Sequence, residues 1–444
     1  VQPVERFQEL LRIPTVHPGP GDDADWSAHE RFAARLEDLY PRVHRALDRE
    51  PIGRSLLYRW PGDGSTSTGP IVLMAHFDVV PAADEASWTY PPFAATITGS
   101  GEDRLIWGRG TLDDKGPLVA ILEAVEGLLE EGFQPDRDVY LSFGHDEESY
   151  GTGAQQIAAT LEARGIRPSL VLDEGGAIVR GVFPGVTAPI AAVGVSEKGI
   201  ADVVLTVAQA GGHASTPPKL AATVRIARAV ARLNARQFPA RLNPVTRAML
   251  STVGAHAPGA LGVALRNLRS TAPLVTRVLT RLTDETRAMV RSTMAITQLS
   301  GSAASNVLAE RATATVNVRI AIGSSVAEAR EHVRAAIGDA GIEVRVEHAS
   351  EPSPISPMTG PTWQRVAAAV RAVAPEAVPT PYVMMAASDA RHFTGISDAV
   401  YRFMPFELSA EERATLHAID ERLGVATWLR GIRFYREIVA PSAG

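Results

Sequence analysis

Short apolar runs and helical-period stretches alternate along the first part of the chain. SLLYRW (55–60), IVLMAHF (71–77), DVYLSFG (138–144) and SLVLDEG (169–175) are nearly continuous apolar runs of strand length. Such runs fit strands buried on both faces. Residues 3–13, 26–48 and 153–164 repeat apolar positions at helical spacing. PLVAILEAVEGLLEEG (117–132) opens on Pro and closes on Gly, which marks a helix start and stop. The alternation predicts an α/β catalytic domain over 1–195, a mainly parallel sheet with helices on both faces.

From about 196 the texture changes. IADVVLTVAQA (200–210), TATVNVRIAI (313–322) and IEVRVEH (342–348) read as strands, and 220–235 and 325–341 as helices. These predict an inserted α+β lid domain over 196–350, interrupted by a helical, Arg- and Ala-rich insert at 239–300. EPSPISP (351–357) reads as a linker. The catalytic domain then resumes over 351–444, with a last helix near 422–438.

A net charge of −6, from 50 acids and 44 bases, argues against a sequence-independent nucleic-acid binder. There is no cysteine, so any metal must be held by His, Asp and Glu. No apolar run reaches the roughly 18 residues of a membrane span. No leader is visible, and the chain starts at Val1 without Met. The expectation is a cytoplasmic protein with no membrane partner, N-terminal processing left open.

Metal-capable side chains recur just past predicted strands or at a helix start. They are His76 and Asp78 in AHFDVV, Asp113 and Asp114 in WGRGTLDDKG, Glu147 and Glu148 in GHDEESYG, and Asp173 in LVLDEGG. His417 follows late in the chain, in LHAIDE. In an open α/β sheet the crevice lies at the carboxyl ends of the strands, so these residues should converge. Each has a plainer reading: a lone His in a strand is usually packing, and an Asp before a helix is usually stabilised by the helix end. Together they suit zinc, with cobalt or manganese as alternatives. Asp78 shares a strand face with His76 and can hold its ring. Glu147 and Glu148 are adjacent, so one can ligate while the other acts as a base.

The order HxD, GRGxxDxKG, DEE, a following Asp and a late His resembles the dinuclear zinc aminoacylase/carboxypeptidase family, nearest its carboxypeptidase S and N-acyl amino acid hydrolase branch. The resemblance implies two Zn2+ per chain. One would be held by His76 and Asp173 and the other by Glu148 and His417, with Asp113 bridging and the Asp113–Asp114 peptide cis. It implies Glu147 as general base. His213, in AGGHAST of the lid, would stabilise the oxyanion, often from a dimer partner. Asn306, Arg319 and Arg391 match substrate-binding positions. Ala386 and Ala387 depart from the family's glycines in the loop beside Arg391, and His145 stands where a small residue or Pro is commoner.

The implied activity is hydrolysis of the amide of a small peptide or N-acyl amino acid, releasing a free amino acid. A homodimer through the lid is expected with it. Two alternatives share the fold: a non-catalytic binding protein, which predicts a missing ligand or base, and an enzyme that also runs towards N-acyl amino acid synthesis. A dinucleotide-binding reading of WGRGTLDDKG fails because its acids would repel a pyrophosphate.

Overall fold

A computed structural model describes residues 2–19, 24–149, 151–183 and 185–442. Its large sheet has eight strands, in the order Asp48–Ile52, Ser55–Trp60, Val139–Gly144, Ile71–His76, Leu170–Val179, Val400–Leu408, Ile190–Glu197, Val378–Met384. Ile71–His76 pairs in parallel with both Val139–Gly144 and Leu170–Val179. All six of its residues are buried, as its apolar run demands. His76 is in register with Gly144, so the residues after each strand emerge together at one sheet edge.

One face is covered by helices Lys115–Glu130 and Val425–Val439, the other by Thr152–Ala163. The Lys115–Glu130 helix is apolar around most of its circumference, so it is almost wholly buried between the sheet and its helical neighbours. The predicted 26–48 helix is two helices, Ser27–Leu39 and Pro41–Ala46. Pro41 has no N–H to continue the first and sits at the favoured first position of the second.

The lid is a four-stranded antiparallel sheet, Thr293–Ser300, Arg311–Ile320, Gly199–Ala208, Glu343–Ser350. Helices Ala222–Ala235 and Val326–Ile337 cover it and share its separate apolar core. One part of the 239–300 insert departs from the helical expectation, and its helices pack away from the lid. Residues 293–300 form the edge strand of the lid sheet rather than part of a helical insert. The helices Pro244–His256, Gly259–Arg266, Leu268–Leu282 and Asp284–Met289 do not pack on the lid core. Val245, Met249, Leu250, Val253 and Met289 instead join the core of the large sheet, beside its edge strand Val378–Met384. Amphipathic spacing shows that a helix has a face to bury but not which surface receives it. An unpaired sheet edge is the surface most in need of cover. Among the described residues no helix is long and apolar enough to cross a membrane.

Candidate active site

Asp113 joins two distant histidines. Its Oδ1 lies 2.9 Å from His76 Nε2 and its Oδ2 2.8 Å from His417 Nε2. His417 Nε2 is also 3.3 Å from Glu148 Oε1. Asp113 and Asp114 precede the Lys115–Glu130 helix, whose amino end favours negative charge, and the peptide between them is cis. His417 has φ +60°, a left-handed conformation uncommon for a residue with a Cβ.

Asp78 organises the acids of GHDEESYG. Its Oδ1 accepts the N–H of Glu147 at 3.2 Å and its Oδ2 that of Glu148 at 3.0 Å. His76 Nδ1 lies 3.2 Å from the same Asp78 Oδ1. One buried carboxylate therefore orients the first histidine and grips the turn carrying Glu147 and Glu148. The remaining acid, Asp146, faces away from the cluster and caps the next helix. Its oxygens accept the N–H groups of Thr152 and Gly153 there, at 3.0 and 2.9 Å. His145 is hydrogen-bonded to Ser55 Oγ at 2.7 Å, away from the set.

Two groups of ligand atoms converge, with all atoms of each within 4.8 Å: His76, Asp113 and Glu148, and His76, Asp114 and Glu174. Asp173 is in neither. It is buried, and its Oδ2 accepts the N–H of Ala390 at 2.8 Å. The motif order does not single out Glu174, one residue on, yet its Oε1 is 3.8 Å from His76 Nε2. The run LVLDEGG offers it as openly as Asp173.

The electrostatics show negative charge in excess. Burial, with Asp389, Asp113 and Glu148 close by, pushes Glu147 well above the ordinary carboxylate range. Burial and the Asp113 and Asp114 charges do the same to Glu174. Asp113 is held low despite its burial, because His417 and His76 hydrogen-bond to it. The same contacts, from Asp113 and then Glu148, raise His417 to about 10. Asp114 Oδ1 is buried with no hydrogen-bond partner among the described residues, and Glu148 Oε1 has only the 3.3 Å contact to His417. Two imidazoles, several clustered carboxylates and an orphaned carboxylate oxygen fit a divalent metal, which would supply the missing positive charge.

The set opens on a cleft of about 830 Å3 between the large domain and the lid. Glu147, Glu148 and His417 line one side, Arg319 and Asp202 the other, and Arg391 the loop wall. Burial lowers Arg319, and the Arg391 charge lowers it further, so two guanidiniums share this space. His213 and Asn306 lie outside the cleft lining, exposed on a two-stranded arm of the lid where His213 pairs with Val307. The Ser215 N–H donates to His213 Nδ1 at 3.1 Å. That leaves the proton on Nε2, a donor on an exposed side chain.

A profile of peptidase family M20/M25/M40 matches residues 72–440. A probable carboxypeptidase S-like 2 of Dictyostelium discoideum is 35% identical, over 99% of this chain and 85% of that protein. The N-fatty-acyl-amino acid synthase/hydrolase PM20D1 of Homo sapiens is 33% identical, over 98% and 86%. The fold matches an M20 family metallo-carboxypeptidase from Sulfolobus solfataricus with a TM-score of 0.71 at 15% identity, covering 99% of this chain and 98% of that one. It also matches human carnosine dipeptidase 1, with a TM-score of 0.66 at 14% identity, over 99% and 95%. The profile match and the relatives above 30% identity along nearly the whole chain carry the conclusion: this chain belongs to peptidase family M20/M25/M40.

Proposed function

We propose that the chain is a dinuclear zinc amidohydrolase that splits the amide of an N-acyl amino acid or a small peptide. The observation that carries this is the Asp113 carboxylate standing between His76 and His417, with Glu147 and Glu148 beside it on the cleft wall. His76, Asp173, Glu148 and His417 are the proposed ligands, with Asp113 shared. Asp173 fits because its other oxygen is already anchored by the Ala390 N–H, as ligating carboxylates commonly are. Bound cations would polarise the scissile carbonyl and lower the pKa of a nearby water.

The chain's own residues do the rest. The Glu147 carboxylate takes a proton from the attacking water and passes it to the leaving nitrogen. The amide C–N bond breaks as the acyl carbon gains the hydroxyl, giving a carboxylic acid and a free amino acid. Arg319 and Arg391 hold the amino acid's carboxylate. His213 of a partner subunit donates Nε2–H to the developing oxyanion. A relative named as a synthase/hydrolase supports a second reading, the same residues working in reverse when acid and amine are abundant.

The test is a mixed panel of dipeptides and N-acyl amino acids, with released amino acid read by mass. Release by the zinc-loaded protein, abolished by chelator, supports the proposal. Intact substrates throughout, despite bound metal, would refute it.

A further inference from the structure

The first crossing from the large domain to the lid is one residue long. Glu197 ends the strand Ile190–Glu197, Lys198 follows, and Gly199 opens the lid strand Gly199–Ala208. Glu197 and Lys198 are both buried. A buried charge needs partners, and these two reach in different directions for theirs. Lys198 Nζ donates to Ala288 O and Arg291 O, at 3.0 and 2.8 Å, which ties the crossing to the end of the insert's last helix. Glu197 Oε2 accepts Arg402 Nε at 3.1 Å, the Ser388 N–H at 3.2 Å and Ser388 Oγ at 3.3 Å. Arg402 and Ser388 are fully buried.

An ion pair with Arg402 alone would only fasten one strand of the sheet to another. The bonds to Ser388 reach further. Ser388 stands immediately before the short 3-10 helix Asp389–Gly395. Its carbonyl accepts the Arg391 N–H at 3.3 Å, and two residues on the Ala390 N–H holds Asp173 Oδ2 at 2.8 Å. The neighbouring Lys198 N–H donates to Met384 O at 3.1 Å. Glu197 and Lys198 thus pin both ends of the segment from Met384 to Ser388. Ala386 and Ala387, in the middle of that segment, line the cleft beside Arg391. Side chains that recognise a substrate keep their geometry only when the groups behind them are fixed.

We propose that Glu197 is a positioning residue: through Ser388 it sets the turn that presents Arg391 to the substrate's carboxylate and the Ala390 N–H to Asp173. The inference rests on the amidohydrolase reading and deepens it with a residue outside the cleft lining.

Replacing Glu197 alone would leave the Arg402 charge buried and unpaired. Two double variants avoid this. Arg402→Met/Glu197→Gln keeps an acceptor oxygen for Ser388, and Arg402→Met/Glu197→Leu removes it. Both are neutral at the two positions, so they differ in that acceptor. KM and kcat for N-acetyl-leucine are measured on zinc-saturated protein, beside amide hydrogen exchange over residues 388–391. The Leu double variant should show a KM about tenfold above that of the Gln double variant, with kcat within about threefold. Its turn should also exchange faster. Ser388→Ala, which changes no charge, should raise KM about threefold by itself. It carries the test if neither double variant folds, and an unchanged KM there overturns the proposal. Equal KM in the two double variants, or a fall in kcat at equal KM, makes Glu197 a structural residue only and overturns the proposal, while the amidohydrolase reading stands. If the wild type hydrolyses nothing, exchange decides. Faster exchange in the Leu double variant alone upholds the hold of Glu197 on the turn while the amidohydrolase reading falls. Equal exchange overturns both.

Discussion

The N–H of Asp113 donates to Oε1 of Glu421 at 3.2 Å. The residue four places after His417 thus holds the backbone of the residue that stands between His417 and His76. The same oxygen accepts the N–H groups of Leu112 and Gly110, at 2.7 and 3.1 Å, and Glu421 Oε2 pairs with Arg109 at 2.6 Å. Both partners of that ion pair are buried. Two loops some 300 residues apart in sequence are fixed as one unit.

Glu421→Gln should therefore act at a distance from the cleft. The amide leaves the buried Arg109 charge uncompensated, which costs about 3 kcal/mol or more. A lower denaturation midpoint and weaker zinc retention under dialysis are expected, since the Asp113 loop loses its anchor. Wild-type stability together with wild-type zinc content would contradict this role.

Asp173 and Glu174 make different claims on the first metal. Asp173→Asn should lose one zinc equivalent of two, read by elemental analysis of the purified protein. Glu174→Gln should keep both metals and lose activity, because its carboxylate sits 3.8 Å from His76 Nε2 beside the reacting centre. The reverse pattern of metal loss would move the ligand assignment from Asp173 to Glu174.

His213 is exposed on its own chain, with its Nε2 proton fixed by the Ser215 N–H. It is predicted to serve the site of a second copy. His213→Ala and Glu147→Gln should each be inactive alone. Co-expressed, they should regain activity, because one site of each mixed dimer has an intact Glu147 and an intact partner histidine. Mixed dimers without activity would place His213 outside the chemistry.

His29 is 3% exposed, packed against the Trp26 and Phe77 rings, and neither ring nitrogen has a hydrogen-bond partner among the described residues. Burial lowers it to about 4. The folded protein thus takes up this proton later than the unfolded chain does as pH falls. Its contribution is complete above about pH 6.5 and is lost progressively down to about pH 4, up to about 3 kcal/mol in all. His29→Phe should flatten the fall in urea midpoint between pH 6.5 and 4.5. An unchanged slope would show that other groups carry the acid sensitivity.

Much of this arrangement was legible in the chain because it depends on local order. A buried parallel strand must be continuously apolar, so IVLMAHF and SLVLDEG announced themselves, and the residues at their ends had to meet. Asp113 stands between His76 and His417, with Glu148 beside His417, although these three stretches lie far apart in the chain. Other features depend on the third dimension alone. Asp78 reads from the sequence as a holder of His76, but its grip on the Glu147 and Glu148 N–H groups requires two strands side by side. Glu421 looks like one more surface acid until its loop is seen under Gly110–Asp113. The insert's helices carry the right periodicity, yet nothing in periodicity tells a helix to cover the large sheet rather than the lid.

The most direct test of the central claim is release of leucine from an N-acyl-leucine by the zinc-loaded protein, measured beside Glu147→Gln with zinc content determined in both. Two zinc ions per chain are expected in each protein, with turnover by the wild type and a loss of at least about a hundredfold in Glu147→Gln. Equal turnover by the two proteins at equal zinc content would contradict it.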